Sequence, residues 1–300
     1  MPAQDRINIF MAVPTIYAKL IEEYDKVFSK NSRMKEYIKN VCLQKIRLMV
    51  SGSAPLPSPI FERWQEITGH SLLERYGMSE IGMALSNPLE GERIPGYVGT
   101  PLPYVNVKIV ASSPEGERLL AEGNEFETRI PSATKEGEVG DLYVRGPTVF
   151  RCYWRNSEAT KKDLAPDGWF KTGDCAQYDN GSYKIVGRSS VDIIKTGGYK
   201  VSALEVETHL LGHPDIADCA VVALPDMVWG QKVAAIIVPK LGKEVLLSKL
   251  REWAKTTMPP YAIPTVLKCV ERLPRNHMGK VNKRELVKQF FPEKANQKNV

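Results

Sequence analysis

Between Gly91 and Gly187 a glycine or a proline recurs every few residues. Glycine frees the backbone and proline locks it, so this punctuation permits short strands and tight turns and disfavours a layer of long helices. Val105–Val110, Gly140–Val144 and Tyr183–Val186 are runs of strand length, and the segment reads as all-β, a small barrel or meander.

The flanks have a different texture. Ile7–Val13 is strand-like and ends at Pro14, after which Thr15 is a candidate cap for a helix from Ile16. Lys45–Val50 reads as a short buried strand. An amphipathic helix follows Pro59, passes through Trp64 and Ile67 and stops at Gly69; Ser71–Tyr76 is a further strand running into Gly77. Strand, helix and strand in alternation point to an α/β sheet. Beyond Arg188 the spacing predicts a helix over Ser202–Leu211, opened by Ser202 with Glu205 three residues on. Strands Cys219–Leu224 and Val233–Val238, a helix over Glu244–Met258, a strand Val266–Glu271 and a last helix from about Lys283 complete it. The expected fold is mixed α/β: an α/β sheet plus a small β-barrel in residues 1–187, then a small α+β domain in 188–300. Two domains suit a chain of 300 residues.

Apolar residues make up 43% and charged residues 25%, which excludes a disordered chain, a collagen-like repeat and a coiled coil. No run approaches the ~20 apolar residues of a membrane span. Met1-Pro2-Ala3-Gln4-Asp5-Arg6 carries an acid and no signal-type apolar core follows. The net charge of +6 is unevenly placed: residues 188–300 hold 18 Lys and Arg against 11 Asp and Glu. A basic domain suits a phosphorylated ligand, though a solvated basic face gives the same count. The basic residues are not interleaved with the aromatics of an RNA-binding module, so nucleic acid is not expected as a partner. Cys42, Cys152, Cys175, Cys219 and Cys269 form no C-x-x-C pair and are expected to be buried free thiols.

Four stretches carry candidate chemistry. In Glu74-Arg75-Tyr76-Gly77-Met78-Ser79-Glu80 a strand enters a glycine turn and presents a hydroxyl and a carboxylate, at the strand end where α/β sheets bind ligands. Glu80 is a hard oxygen ligand suited to Mg²⁺, and Ser79 can donate to a phosphate; a helix N-terminus explains the pair equally well. In Gly168–Asp174 a carboxylate just after a glycine turn suits two adjacent hydroxyls such as ribose presents, although a plain turn explains it too. Gly187-Arg188, Asp192–Lys195 and Thr196-Gly197-Gly198-Tyr199-Lys200 put two glycines among basic residues, either for close approach to a ligand or as a simple hairpin. Pro274-Arg275-Asn276-His277-Met278-Gly279-Lys280 is a basic loop, solvated or catalytic.

Taken in order, these motifs resemble the adenylate-forming superfamily of acyl-CoA synthetases, luciferases and peptide-synthetase adenylation domains, from Ile7 to about Phe291. Val13-Pro14-Thr15-Ile16-Tyr17, Ser51–Leu56, Gly91–Gly96 and Trp229-Gly230-Gln231 are similar to the malonyl-CoA synthetase branch. The resemblance implies a ligase using ATP, Mg²⁺ and coenzyme A, with small-molecule substrates and a mitochondrial location. It implies Lys280 as the catalytic lysine and Asp174 and Arg188 at the ribose. Ser79 stands at the phosphate where most members have Thr, Glu80 on Mg²⁺ and Tyr76 on the adenine. The stretch Gly52, Ser53, Ala54 and Gly77 would line the nucleotide pocket. It further implies a mobile lid in 188–300, with Lys195, Gly197, Gly198 and Lys200 toward coenzyme A. A bidentate Arg75 suits the second carboxylate of a dicarboxylic acid such as malonate or methylmalonate, against the alternative of an ion pair with Glu74 or another acid. A medium-chain or aromatic acid, or a silent isoform that only binds nucleotide, coenzyme A or a partner, are the competing readings.

Two departures stand out. The family's pivot place after the Gly-Arg pair holds Ser190, in a segment one residue longer than usual. The phosphate loop, a Ser/Thr/Gly-rich run ending in Pro-Lys-Gly, is not found in the 300 residues, so Met1 is expected to be an internal start or a fragment boundary.

Overall fold

The computed structural model describes residues 7–28, 30–113, 116–135, 137–276 and 279–295. The chain divides into two compact units, Met1–Ile185 and Val186–Val300.

The first unit opens with a mixed sheet. It contains β1 (Ile9–Ala12), α1 (Pro14–Val27), α2 (Ser32–Lys45), β2 (Leu48–Ser51), α3 (Ser58–Thr68), β3 (Leu73–Met78), β4 (Gly82–Ser86) and β5 (Thr100–Pro101), with strand order β1-β2-β3-β4-β5. The β1–β2 and β2–β3 pairs are parallel, and β3–β4 and β4–β5 are antiparallel. Pro14, not Ile16, opens α1: proline sits in its first turn and Val13, which has no side-chain cap, precedes it, so Thr15 is inside the helix. Proline suits that position because its missing N–H would be unpaired there anyway. Lys45 belongs to α2 and not to the strand expected from it; none of the helix's residues is fully buried, and its apolar residues carry little periodic signal. Gly69 ends α3 in the left-handed conformation, as expected. Tyr17, Met49, Phe61, Trp64 and Leu72 form the core between helices and sheet, and Tyr17 donates its hydroxyl to Val50 O at 2.8 Å.

The second sheet is built from β6 (Asn106–Ser113), β7 (Gly116–Gly123), β8 (Thr128–Arg129), β9 (Gly140–Arg145), α4 (Ser157–Asp163), β10 (Phe170–Asp179) and β11 (Ser182–Arg188). Its six strands run β11-β10-β9-β6-β7-β8. The small barrel takes the form of a curled half-barrel, whose end strands meet through side chains, Tyr183 Oη lying 3.1 Å from Thr128 Oγ1. Val107, Ile109, Leu142, Val144 and Phe170 fill it.

The second unit contains β12 (Ile193–Thr196), β13 (Tyr199–Ser202), α5 (Ala203–Leu211), β14 (Ile216–Asp226), β15 (Gly230–Pro239), α6 (Leu247–Ala254), β16 (Val266–Cys269), α7 (Lys283–Phe290) and α8 (Pro292–Ala295). Its strands run β13-β12-β15-β14, with β16 parallel to β15. Cys219 and Val221 of β14 face one core with α5 and α6, while Ala220, Val222 and Leu224 face another with α7. Burial on both faces explains the unbroken apolar run Val233–Val238. Ser202 caps α5 by accepting from Glu205 N, as expected. The helix expected over Glu244–Met258 is shorter, because turns take over after Ala254. Cys152 and Cys269 are exposed, against the expectation of buried thiols; Cys175 and Cys219 are buried.

Candidate active site

In the first unit β2 and β3 run side by side, pairing Ser51 with Glu74. Gly52, just past the end of β2, lies against the stem of Arg75: a Cβ there would meet Arg75 Cγ at 3.5 Å. Ser53 has a positive φ of 67°, and both Ser53 and Ala54 are exposed in this loop. Arg75 makes no ion pair with a carboxylate among the described residues; its Nη2 lies 3.8 Å from Met11 Sδ. Alternation along the strand sends Glu74 the other way, into the interior at 4% exposure, where Oε1 accepts from Gly96 N at 2.8 Å. Burial pushes the Glu74 carboxyl up to about 8, against the lowering pull of the Gly96 and Leu56 amides.

Past Arg75 the strand bulges between Tyr76 and Gly77 and turns back as β4, so Ser79 and Glu80 sit in a hairpin turn and not at a helix start. Only glycine fits at Gly77, where a Cβ would lie 2.2 Å from Gly82 O. Ser79 is exposed and Glu80 half-buried. Tyr153 Oη donates to Glu80 Oε1 at 3.2 Å, and Phe150 N donates to Glu80 O at 2.8 Å. Tyr153 carries no sequence signal, because only the fold brings its segment to the β3–β4 turn.

Asp174 lies within strand β10, not just after a turn. The β9–β10 register shifts between Lys171 and Cys175, and Gly173 takes φ 76° at that irregularity. The bulge re-aims the carboxylate without ending the strand. Asp174 is buried, and its Oδ2 accepts from Tyr76 Oη at 2.6 Å. Two residues from separate motifs, 98 positions apart, thus share one short hydrogen bond.

In the second unit Gly187 leads into a turn in which Arg188 N donates to Asp192 Oδ2 at 2.9 Å and Asp192 N to Arg188 O at 2.8 Å. Arg188, Ser189 and Ser190 are exposed. Gly197 and Gly198, with φ of 54° and 86°, form the two-residue connection of the β12–β13 hairpin, a turn that demands positive φ at both places. Lys195 and Lys200 stand directly opposite each other in that hairpin, both exposed. Gly197 also packs on Trp229, whose Cε3 would be 2.7 Å from an added Cβ.

Exposed Lys280 lies in the loop between β16 and α7, three residues before the helix; His277 and Met278 lie outside the described residues. Asn276 folds the loop by accepting from Lys280 N at 2.9 Å and donating its own N–H to Lys280 O at 2.9 Å. Arg275 ties it down through two bonds to Asp218, at 2.9 and 2.7 Å.

The model for AMP-binding enzymes matches residues 3–154, and that for the AMP-binding enzyme C-terminal domain matches residues 205–280. The chain is 55% identical to the mitochondrial malonate-CoA ligase ACSF3 of Bos taurus, over 96% of its own length and 49% of that protein's. It is 43% identical to the malonate-CoA ligase of Arabidopsis thaliana, over 95% of itself and 45% of that protein. The crystal structure of ATP-bound MatB from Rhodopseudomonas palustris superposes with a TM-score of 0.79 at 30% identity, covering 98% of this chain and 52% of that one. The chain therefore spans about half the length of the curated relatives it matches. No helix among the described residues is long and apolar enough to cross a membrane. Since one family model takes in half of the sequence and its companion domain follows in the same order, the chain belongs to the family of AMP-binding enzymes.

Proposed function

We propose that this chain carries the latter part of a ligase that joins malonate to coenzyme A. The observation that carries the choice of acid is Arg75, a half-buried guanidinium without a carboxylate partner among the described residues. A monocarboxylic acid spends its only carboxylate on the reaction, whereas malonate leaves a second one that a guanidinium fork grips in two places. The identity to malonate-CoA ligases supports the same acid.

In the first step a malonate carboxylate oxygen attacks the α-phosphorus of ATP and the bond to pyrophosphate breaks, leaving the acyl-adenylate. In the second the coenzyme A sulfur attacks the acyl carbon, its proton is lost, and AMP departs. Negative charge gathers on oxygens in both, so fixed cations and donors are what the protein contributes. Lys280, a point cation on a folded loop, would bridge the attacking carboxylate and the α-phosphate. Asp174 would accept from the ribose hydroxyls, with Arg188 beside them. Tyr76 would stack on the adenine while its hydroxyl holds Asp174 Oδ2, so base and sugar contacts are set by one hydrogen bond. Gly52, Ser53, Ala54 and Gly77 would line the nucleotide site, and Ser79 would donate to a phosphate. Lys195, Gly197, Gly198 and Lys200 would receive coenzyme A on the hairpin.

Mg²⁺ fits as an ion that arrives with ATP. No group of three or more His, Cys, Asp or Glu suited to a metal occurs among the described residues. One carboxylate with phosphates and water is the usual Mg²⁺ arrangement, and Glu80 would be that carboxylate. When bound, the ion offsets phosphate charge. The mitochondrial location of the ACSF3 ligases supports placing this chain there as well.

The test joins this chain to the N-terminal half of the Bos taurus ligase and measures acid-dependent exchange of pyrophosphate into ATP. Malonate should support exchange well above hexanoate or benzoate. Equal exchange with hexanoate would overturn the choice of acid, and nucleotide binding without exchange would leave a silent nucleotide binder.

A further inference from the structure

Lys283 is the first residue of α7, three positions after Lys280. A cation at a helix N-terminus opposes the helix dipole, and burying one adds a desolvation penalty. Lys283 does both. Its side chain is 11% exposed, with Nζ 2.6 Å from Asp192 Oδ1 and 2.9 Å from Glu207 Oε1. These are ion pairs by distance; among the described residues no aligned hydrogen bond satisfies Nζ. The two carboxylates hold the ammonium above the ordinary lysine range although burial pulls it down.

Each acid is committed elsewhere too. Asp192 Oδ2 accepts from Arg188 N at 2.9 Å, in the turn that starts the second unit. Glu207, on α5, accepts from Val221 N of β14 at 2.7 Å. On the other side of Lys280, Arg275 is bound to Asp218 of the same strand β14. The Lys280 loop is thus fastened at both ends, upstream to β14 and downstream to α5 and the Arg188 turn. Buried ion pairs are poor devices for stability, since apolar replacements often do as well, and their better-attested use is to fix one arrangement.

We propose that Lys283 is a positioning residue, a latch that ties the Arg188–Asp192 turn to the loop bearing Lys280 so that the two form one rigid piece of the second unit. Its bearing on catalysis rests on the reading of Lys280 given above; the latch itself does not.

Amide hydrogen exchange on the 300-residue chain decides it. Lys283→Met leaves Asp192 in place, so loosening at the Arg188 amide reports lost coupling and not a lost acceptor. Exchange at both Arg188 and Lys280 should rise roughly tenfold or more beyond any rise at the β14–β15 amides, which report global unfolding, as for an added local opening. Should that variant not fold, Lys283→Met with Glu207→Gln removes one stranded charge and is read the same way. Lys283→Arg should keep both amides protected. Loosening of one segment without the other, or of neither, overturns the proposal. In the fusion with the Bos taurus half, Lys283→Met should lower kcat for malonate-dependent exchange by roughly ten- to hundredfold, the effect of a catalytic group displaced by about an ångström. KM for ATP should move by less than about twofold, and Lys283→Arg should restore kcat. An inactive unsubstituted fusion counts against the ligase reading alone, because amide exchange still judges the latch.

Discussion

Arg75 and Lys283 are both cations drawn back from solvent, and their surroundings are opposite. Lys283 has two carboxylates within 2.9 Å. Arg75 has a glycine along its stem, a thioether near one nitrogen and no carboxylate among the described residues. A cation whose charge is answered inside the fold is part of the framework. One whose charge is unanswered among the described residues has its fork available to an anion from outside, as proposed for Arg75. Stability and activity should therefore separate the two residues.

The largest expected effect is on stability. Lys283→Met strands two buried acids and should lower unfolding free energy by about 3–5 kcal/mol, whereas Arg75→Leu should stay within about 0.5 kcal/mol. Urea unfolding of both variants measures this, and equal losses would erase the distinction. Next comes activity. In the fusion protein Arg75→Lys keeps the charge and loses the fork, and kcat/KM for malonate should fall roughly ten- to hundredfold, the worth of hydrogen bonds to a charged group. Unchanged malonate kinetics would return Arg75 to the framework.

Glu74, the neighbour facing inward, sharpens the contrast through pH. Its folded-state value of about 8 lies above the ordinary 4.5, so the native state holds a proton that the unfolded chain gives up. Its contribution is fully present below about 4.5 and is lost as pH rises through about 8. Stability should fall across that window by up to about 1.4 kcal/mol per pH unit, and Glu74→Gln should flatten the slope in melts at a series of pH values. The smallest effect concerns Lys195 and Lys200, like charges directly opposite in a hairpin. Lys200→Ala should raise stability by about 0.2–0.5 kcal/mol by relieving them, while weakening coenzyme A binding by calorimetry. A stability loss would mean the lysine already has a partner within the fold.

Much of the fold was legible because its signals are local. Gly69, Ser202 and the double glycine mark ends and turns by their local chemistry, and the apolar run Val233–Val238 announces a strand. The failures were local as well. Thr15 looks like a cap until Pro14 takes the first turn, and α2 lacks the apolar stripe that would have betrayed it. Asp174 reads as a turn residue because Gly173 precedes it, and nothing nearby reveals that a partner strand continues past the bulge.

The sequence by itself determined the chemistry on offer: a carboxylate and hydroxyl after a glycine, a lysine closing a basic loop, an excess of positive charge in the last third, and the order of motifs that marks the family. Only the tertiary structure decided which of these groups meet. It joined Tyr76 to Asp174 across 98 positions, gave Glu80 the Tyr153 hydroxyl, left Arg75 without an acid among the described residues, and enclosed Lys283 between Asp192 and Glu207. The physical reason is that residue type and spacing set local conformation within a few positions, while burial and electrostatic partnership depend on strand pairing and packing between segments far apart in the chain.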